Sequence, residues 1–252
     1  MIQPVPIIEV LSRATQGATR PFLCRCEDGH LYWAKGAAAG TMALLTEWVV
    51  GRLGQHLGLP IPEMAILYVP PELIAESAFP GIEDLGTGNC FGSRHVEGAQ
   101  EYDSTMIERT DQLLRWKILS FDYWVRNTDR TFSRPYGSSG NPNLLWCMGE
   151  GSLRVIDHNN ALLPNDMLDI GNYRRHVFVG ERGHLTTPFK LDMATGMADA
   201  LASLPGIYLD VPEAWLFLDV ERCVKSDMTL DFVQGMLGPI ARDPTAMWEF
   251  LS

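Results

Sequence analysis

Cysteine is scarce in this sequence and carries no pairing pattern. The five residues, Cys24, Cys26, Cys90, Cys147 and Cys223, are odd in number and scattered, with no CxxC spacing. That disfavours both a disulfide framework and a zinc-holding knuckle. Cys24 and Cys26, two apart, would share one face of a strand and read as small buried hydrophobes. No apolar run approaches the roughly 18–20 residues that cross a bilayer. The opening Met1-Ile2-Gln3-Pro4-Val5-Pro6 has neither basic residues nor a long apolar stretch, so no signal peptide is expected. Positive charge is also short: 20 Lys and Arg stand against 31 Asp and Glu, a net charge of −11. A broad electrostatic footprint for DNA or RNA is therefore disfavoured. An anion could bind only where cations or backbone N–H groups converge locally. None of the six histidines pairs at HxxxH or HExxH spacing, which argues against a zinc hydrolase. Neither a GxSxG elbow nor a GxxxxGK(S/T) loop occurs, against an α/β-hydrolase and a Walker-type nucleotide site. What survives is a soluble, reduced, cytoplasmic chain with no nucleic-acid and no membrane partner.

The chain is long enough, at 252 residues with 46% hydrophobic, for one large domain or two small lobes. Residues 5–11, 22–26 and 31–36 read as strands. The last two are joined by Glu27-Asp28-Gly29-His30, whose Asp-Gly favours a hairpin. Met42, Leu45, Val49 and Leu53 recur at helical spacing, so a helix is expected from Thr41 to Leu57, stopped by Gly58 and Pro60. Residues 63–69 and 89–96 read as further strands around a Pro/Gly-rich connection from Val69 to Gly88. Beyond residue 100 the pattern turns helical. Thr105 to Glu108 has capping-box spacing, which predicts a helix running to about Arg126. Pro188, Pro212 and Pro244 each stand where proline opens a helix. Only 143–147 and 153–157 read as strands there. The expectation is an α+β, two-lobed protein-kinase-like fold: a strand-rich lobe over 1–100, a helical lobe over 101–252, and a cleft between them.

The chemistry concentrates in three segments: NTDR (Asn127 to Arg130), NPNLLW (Asn141 to Trp146) and RVIDHN (Arg154 to Asn159). Phosphoryl transfer needs a carboxylate to orient the attacking hydroxyl. It also needs hard oxygen ligands for Mg²⁺, usually a carboxylate with an amide oxygen. Asp129 suits the first task, and Asn143 and Asp157 the second. Asn143 opens one short strand and Asp157 closes the next, so a hairpin would bring them to the same end. Each segment alone is an ordinary turn composition, since Asn and Asp bond their own backbone; their order and spacing carry the reading. Upstream, Lys35 ends a strand and Glu47 interrupts an apolar helical run. A strand lysine held by a helix glutamate is how kinase-like sites grip nucleotide phosphates, whereas the bland reading is a snorkelling Lys and a surface Glu. Gly17, between two strands in the segment Ala14 to Arg20, could let backbone N–H groups fold over phosphates, though an ordinary hairpin loop explains one glycine equally well. His158 reads as a histidine satisfied by a backbone carbonyl, and Arg174 and Arg175 as a solvated face. Trp116, Trp124, Trp215, Trp248 and Met236 read as core.

The strings YWAKG, LLTEWVVGRLGQHLGLPIPE, CFGSRHVEGA, FDYWVRNTDRT, NPNLLW and VIDHNNAL, in this order over residues 32–163, resemble the small stand-alone HipA-like kinases. These are relatives of the HipA toxin kinase and, more distantly, of the phosphatidylinositol kinases. The resemblance implies ATP and Mg²⁺ as cofactors and a protein serine or threonine hydroxyl as acceptor, and it leaves room for an antitoxin-like partner. By the same resemblance Asp129 is the catalytic-loop aspartate, Asn143 and Asp157 hold the metal, and Lys35 and Glu47 grip the nucleotide. Residues Phe91 to Val96 would lie near the adenine. Two departures stand out. Asp129 and Asn143 are 14 residues apart, with Ser133 to Gly140 reading as an insertion, which a surface loop absorbs at small entropic cost. Thr131 stands where the toxin has histidine, which bears on substrate choice more than on phosphate chemistry. Nucleotidyl transfer, phosphorylation of a small molecule, and a pseudokinase binding module remain as alternatives.

Overall fold

Five strands in the first hundred residues pair in the order β1-β2-β3-β5-β4. They are β1 (Val5–Arg13), β2 (Phe22–Cys26), β3 (Leu31–Lys35), β4 (Met64–Val69) and β5 (Gly88–Arg94). The structure, a computed structural model, describes all residues except 1, 16, 18, 133–139, 165, 166, 169 and 220. The Asp-Gly signal holds between β2 and β3. Gly29 sits at φ +82°, where a side chain would strain the turn, and Asp28 accepts from the His30 N–H and the Tyr32 hydroxyl.

An open sheet is not what forms. β1 also pairs in parallel with β4, Val5 opposite Leu67 and Pro6 opposite Tyr68, which closes a barrel. Closure is a long-range pairing that no local period records. Ile7, Phe22, Cys24, Cys26, Tyr32, Ala34, Leu67, Val69 and Cys90 fill the interior. Cys24 and Cys26 are fully buried, and burial pushes both thiols up to about 12, so they are packing residues, as their spacing suggests. The Pro/Gly-rich connection is more ordered than its composition implies. It holds α2 (Pro71–Glu76), opened by Pro71, and a 3₁₀ turn at Ile82–Asp84.

The helix expected from Thr41 forms as α1 (Thr41–His56) and is buried nearly all round from Leu44 to Gly54, Thr46 and Glu47 included. It packs against α4 (Thr187–Ala202), α5 (Leu204–Leu209) and the 3₁₀ turn Glu213–Leu216. Its residues thereby join the larger core with Trp116, Phe121, Trp124, Met193, Met197, Leu237 and Met247.

The helix expected from Thr105 to Arg126 is divided. Ser104–Arg109 is a 3₁₀ stretch capped by Asp103. Thr110 is then extended (ψ 132°), and α3 (Gln112–Trp124) starts afresh with Asp111 accepting from the Leu114 N–H at 3.0 Å. Two Asp caps outcompete the Thr–Glu box, because each satisfies amides that a continuous helix would hold differently.

The strands after residue 140 are β7 (Leu144–Cys147) and β8 (Ser152–Val155), joined by β6 (Ala99–Glu101) in a second, three-stranded sheet; β6 has no sequence signal. Of the three proline starts, Pro188 lies in the first turn of α4 and Pro244 caps α7 (Thr245–Leu251), whereas Pro212 opens only a 3₁₀ turn. α6 (Leu230–Arg242) starts at Thr229, whose hydroxyl accepts from the Phe232 N–H. Among the described residues, no helix is long and apolar enough to cross a membrane.

Candidate active site

Lys35 is the last residue of β3 and is 7% exposed. Its Nζ lies 2.7 Å from Asp157 Oδ1 and 3.5 Å from Glu47 Oε1, so three residues from distant parts of the chain meet. The other Glu47 oxygen accepts the His158 N–H at 2.8 Å, fixing α1 to the segment just past Asp157. One ammonium serves two carboxylates and is nearer to Asp157. Burial accordingly pushes the Glu47 carboxyl up to about 7, against the pull of Lys35. Burial also disfavours charge on Asp157, but the Lys35 ammonium outweighs it and holds this carboxyl below its ordinary range. For Lys35 the two carboxylates overcome burial and keep the amine protonated. The surface-Glu reading of Glu47 is thus wrong: it is 3% exposed.

The hairpin places Asn143 and Asp157 as its register requires. Leu144 pairs with Val155, and one step beyond, the Ile156 N–H donates to the Asn143 carbonyl at 3.1 Å. Both residues have left-handed backbone, φ +51° at Asn143 and +58° at Asp157, which Asn and Asp adopt more readily than other side chains. Asn143 is 3% exposed and its Oδ1 is buried without a hydrogen-bond partner. An orphaned buried acceptor is costly and calls for an explanation. A cation beside it supplies one, because an amide oxygen and a carboxylate are the hard donors Mg²⁺ takes. No cluster of three or more His, Cys, Asp or Glu suited to a metal occurs among the described residues. An ion here would therefore complete its shell from phosphates and water, as Mg²⁺ does in nucleotide sites.

Asp129 belongs to the same network. Its Oδ2 accepts from Asn160 Nδ2 at 3.0 Å, three residues past Asp157, and its backbone N–H donates to Asn127 Oδ1 at 3.2 Å. Next to it, the fully buried Arg130 donates through Nη1 to the carbonyls of Pro142, Asn143 and Ile156. Arg130 also pairs with Asp122, Nε to Oδ2 at 2.6 Å, and His176 Nε2 meets the same oxygen at 2.9 Å. Burial alone would raise the Asp122 carboxyl, yet the guanidinium and the histidine N–H bring it down to about 2. Sequence reasoning missed Asp122 and His176 and gave Arg130 no role. The available cue was the one that singled out Glu47: a charge, Asp122, inside the apolar helical run Ile118 to Trp124.

Three expectations meet less support. Gly17 lies in the β1–β2 connection at φ +84°, with nothing within 4 Å of where a Cβ would stand. Among the described residues no hydrogen bond joins it to Lys35. Phe91 is a core residue of β5 opposite Lys35, so only residues 95–98 form the connection from β5 to β6. His158 does not find a backbone carbonyl through Nε2, which is buried and unpartnered; burial and the nearby Arg130 charge push its imidazole down to about 3. The insertion read at Ser133 to Gly140 falls, except for Gly140, outside the described residues.

Residues 7–250 match the family model described as HipA-like kinase, and the chain belongs to that family. The crystal structure of a Helicobacter pylori proinflammatory kinase, CtkA, superposes with a TM-score of 0.55 at 13% identity, covering 99% of this chain and 100% of that one. That likeness is one of fold. A CtTel1 dimer structure aligns over 96% of this chain and 11% of its own at 11% identity, but its TM-score of 0.27 carries no argument. No curated protein matches the chain.

Proposed function

We propose, from membership of the HipA-like kinase family, that this protein transfers the γ-phosphate of ATP, with Mg²⁺, to a hydroxyl, a protein serine or threonine being the acceptor the resemblance favours. One observation carries the reading: Lys35 bridging Glu47 and Asp157, with Asn143, whose Oδ1 is orphaned, tied by its carbonyl to the N–H of Ile156 just before Asp157. Two lobes, residues 1–100 and 101–252, are the division this reading implies.

In it, Asn143 and Asp157 hold the metal through their side-chain oxygens. Bound Mg²⁺ neutralises charge on the phosphates. Lys35 grips phosphate oxygens, with Glu47 keeping its ammonium in place. Asp129 orients the incoming hydroxyl and takes its proton at a carboxylate oxygen. Such sites work mainly by position and charge, with little covalent chemistry by the protein.

The test is mass spectrometry of the purified chain and a generic protein acceptor incubated with Mg·ATP. Gain of a phosphate supports the reading; gain of a nucleotide indicates nucleotidyl transfer instead. Asp129→Ala and Asp157→Ala should each lower transfer by at least about 100-fold while circular dichroism stays native. Transfer surviving in Asp157→Ala would overturn the assignment, and absence of any Mg·ATP binding by the native chain would favour a pseudokinase module.

A further inference from the structure

Asp122 lies in α3, is fully buried, and touches none of the residues proposed to meet phosphate or metal through their side chains. Yet both of its oxygens are saturated. Oδ1 accepts from Asn127 Nδ2 at 3.0 Å and Arg130 Nη2 at 3.4 Å. Oδ2 accepts from Arg130 Nε at 2.6 Å and His176 Nε2 at 2.9 Å. Four donors meet a carboxylate with about four acceptor positions. The histidine's role is set by its other nitrogen: the Phe178 N–H donates to Nδ1 at 3.1 Å, so Nδ1 bears no proton and Nε2 is the donor.

Each partner of Asp122 hands its orientation on. Asn127 turns its Oδ1 to the Asp129 N–H. Arg130 clamps the carbonyl of Asn143 itself and that of Ile156, the residue before Asp157. The Val177 N–H donates to the Arg130 carbonyl at 3.1 Å, which brings the segment carrying His176 alongside.

We propose that Asp122 is the positioning residue of this site: one buried carboxylate that holds the segment bearing Asp129 in register with the hairpin base bearing Asn143 and Asp157. The kinetic part of this inference rests on the phosphotransferase reading; the geometric part does not. An isosteric amide cannot replace the carboxylate. Asparagine turns an NH₂ toward two of the four donors in either flip, so either the Asn127 side or the His176 side loses its acceptor. Reacting groups misplaced by about 1 Å forfeit on the order of 100-fold in rate.

Asp122→Asn is the test, in the full chain with Mg·ATP and transfer to water or to the chain itself as the readout. The expected result is kcat down about 100-fold with a much smaller change in the KM for Mg·ATP, because Lys35 and Glu47 stand on β3 and α1 rather than on the segments Asp122 holds. Hydrogen exchange at the Asp129 and Ile156 amides should speed up at least about tenfold while β2 and β3 keep their protection. If Asp122→Asn does not unfold cooperatively, His176→Phe removes one donor and leaves the ion pair, and a smaller change in the same direction is expected. Native kcat and native exchange in the folded variant overturn the proposal, as does faster exchange spread evenly through the barrel. Should the native chain transfer no phosphate, the kinase reading fails and the exchange pattern alone decides the positioning claim.

Discussion

Asn143 and Asp157 hold their places through backbone conformation as much as through side-chain chemistry. Both sit at positive φ, a region costing most L-residues about 1–2 kcal/mol and glycine almost nothing. Asn143 can therefore be separated into its two roles. Asn143→Gly keeps the backbone and removes the orphaned oxygen, so urea unfolding should give native stability or slightly more. Asn143→Ala should cost about 1 kcal/mol by comparison with Gly. Both should lose Mg²⁺-dependent transfer alike; transfer retained in the Gly variant would remove Asn143 from the metal site. At this scale much was legible, because Lys35, Glu47, Asp129, Asn143 and Asp157 were all named from residue type and spacing. Asp122 and His176 were not: Asp122 offered only the cue of a charge inside an apolar helical run, and a lone His carries no motif.

Among the elements, the passage out of β3 is packed closely against backbone. A Cβ on Gly36 would lie 2.0 Å from the Leu85 carbonyl oxygen, which already accepts the Ala37 N–H at 2.9 Å. Gly36→Ala must push this strand end aside and Lys35 with it. The expected cost is about 1–3 kcal/mol in urea unfolding, together with weaker binding of Mg·ATP; native affinity for the nucleotide would mean that Lys35 is not held by this contact. The start of α4 was marked by Pro188, and element type was readable for the barrel strands and for α1, where the spacing and the stop signals are clear. It failed between Thr105 and Arg126 because Asp103 and Asp111 each cap their own turn. The Thr–Glu spacing competes with both and loses. β6 was silent, three residues whose only claim to be a strand is their pairing with β7.

For the whole molecule, the buried network makes acid a specific threat. Burial keeps His176 neutral below its ordinary titration range, against the attraction of Asp122. The unfolded chain takes up that proton as pH falls below about 6.5, and the folded chain does not, so this group lowers stability as pH falls. Native protein should lose stability relative to His176→Gln by up to about 1.4 kcal/mol per pH unit on descending from pH 6.5. Parallel urea curves at every pH would show that His176 is not held neutral. Asp122 acts lower down. Its carboxyl is held at about 2, so its contribution is complete above the usual carboxylate range and is lost as pH falls from about 4 toward 2.

The sequence by itself determined the apolar segments of the strands, the helical spacing of α1, the Asp-Gly turn and the residue types able to handle phosphate and a divalent ion, because these depend on neighbours within a few positions. Only the tertiary structure decided that the sheet closes through β1 and β4, that α1 is buried with the helices of the second half, and that Asp122 gathers Asn127, Arg130 and His176. Those contacts join residues whose separation along the chain leaves no periodic trace, and they form where burial makes an unpaired polar group too costly to leave alone.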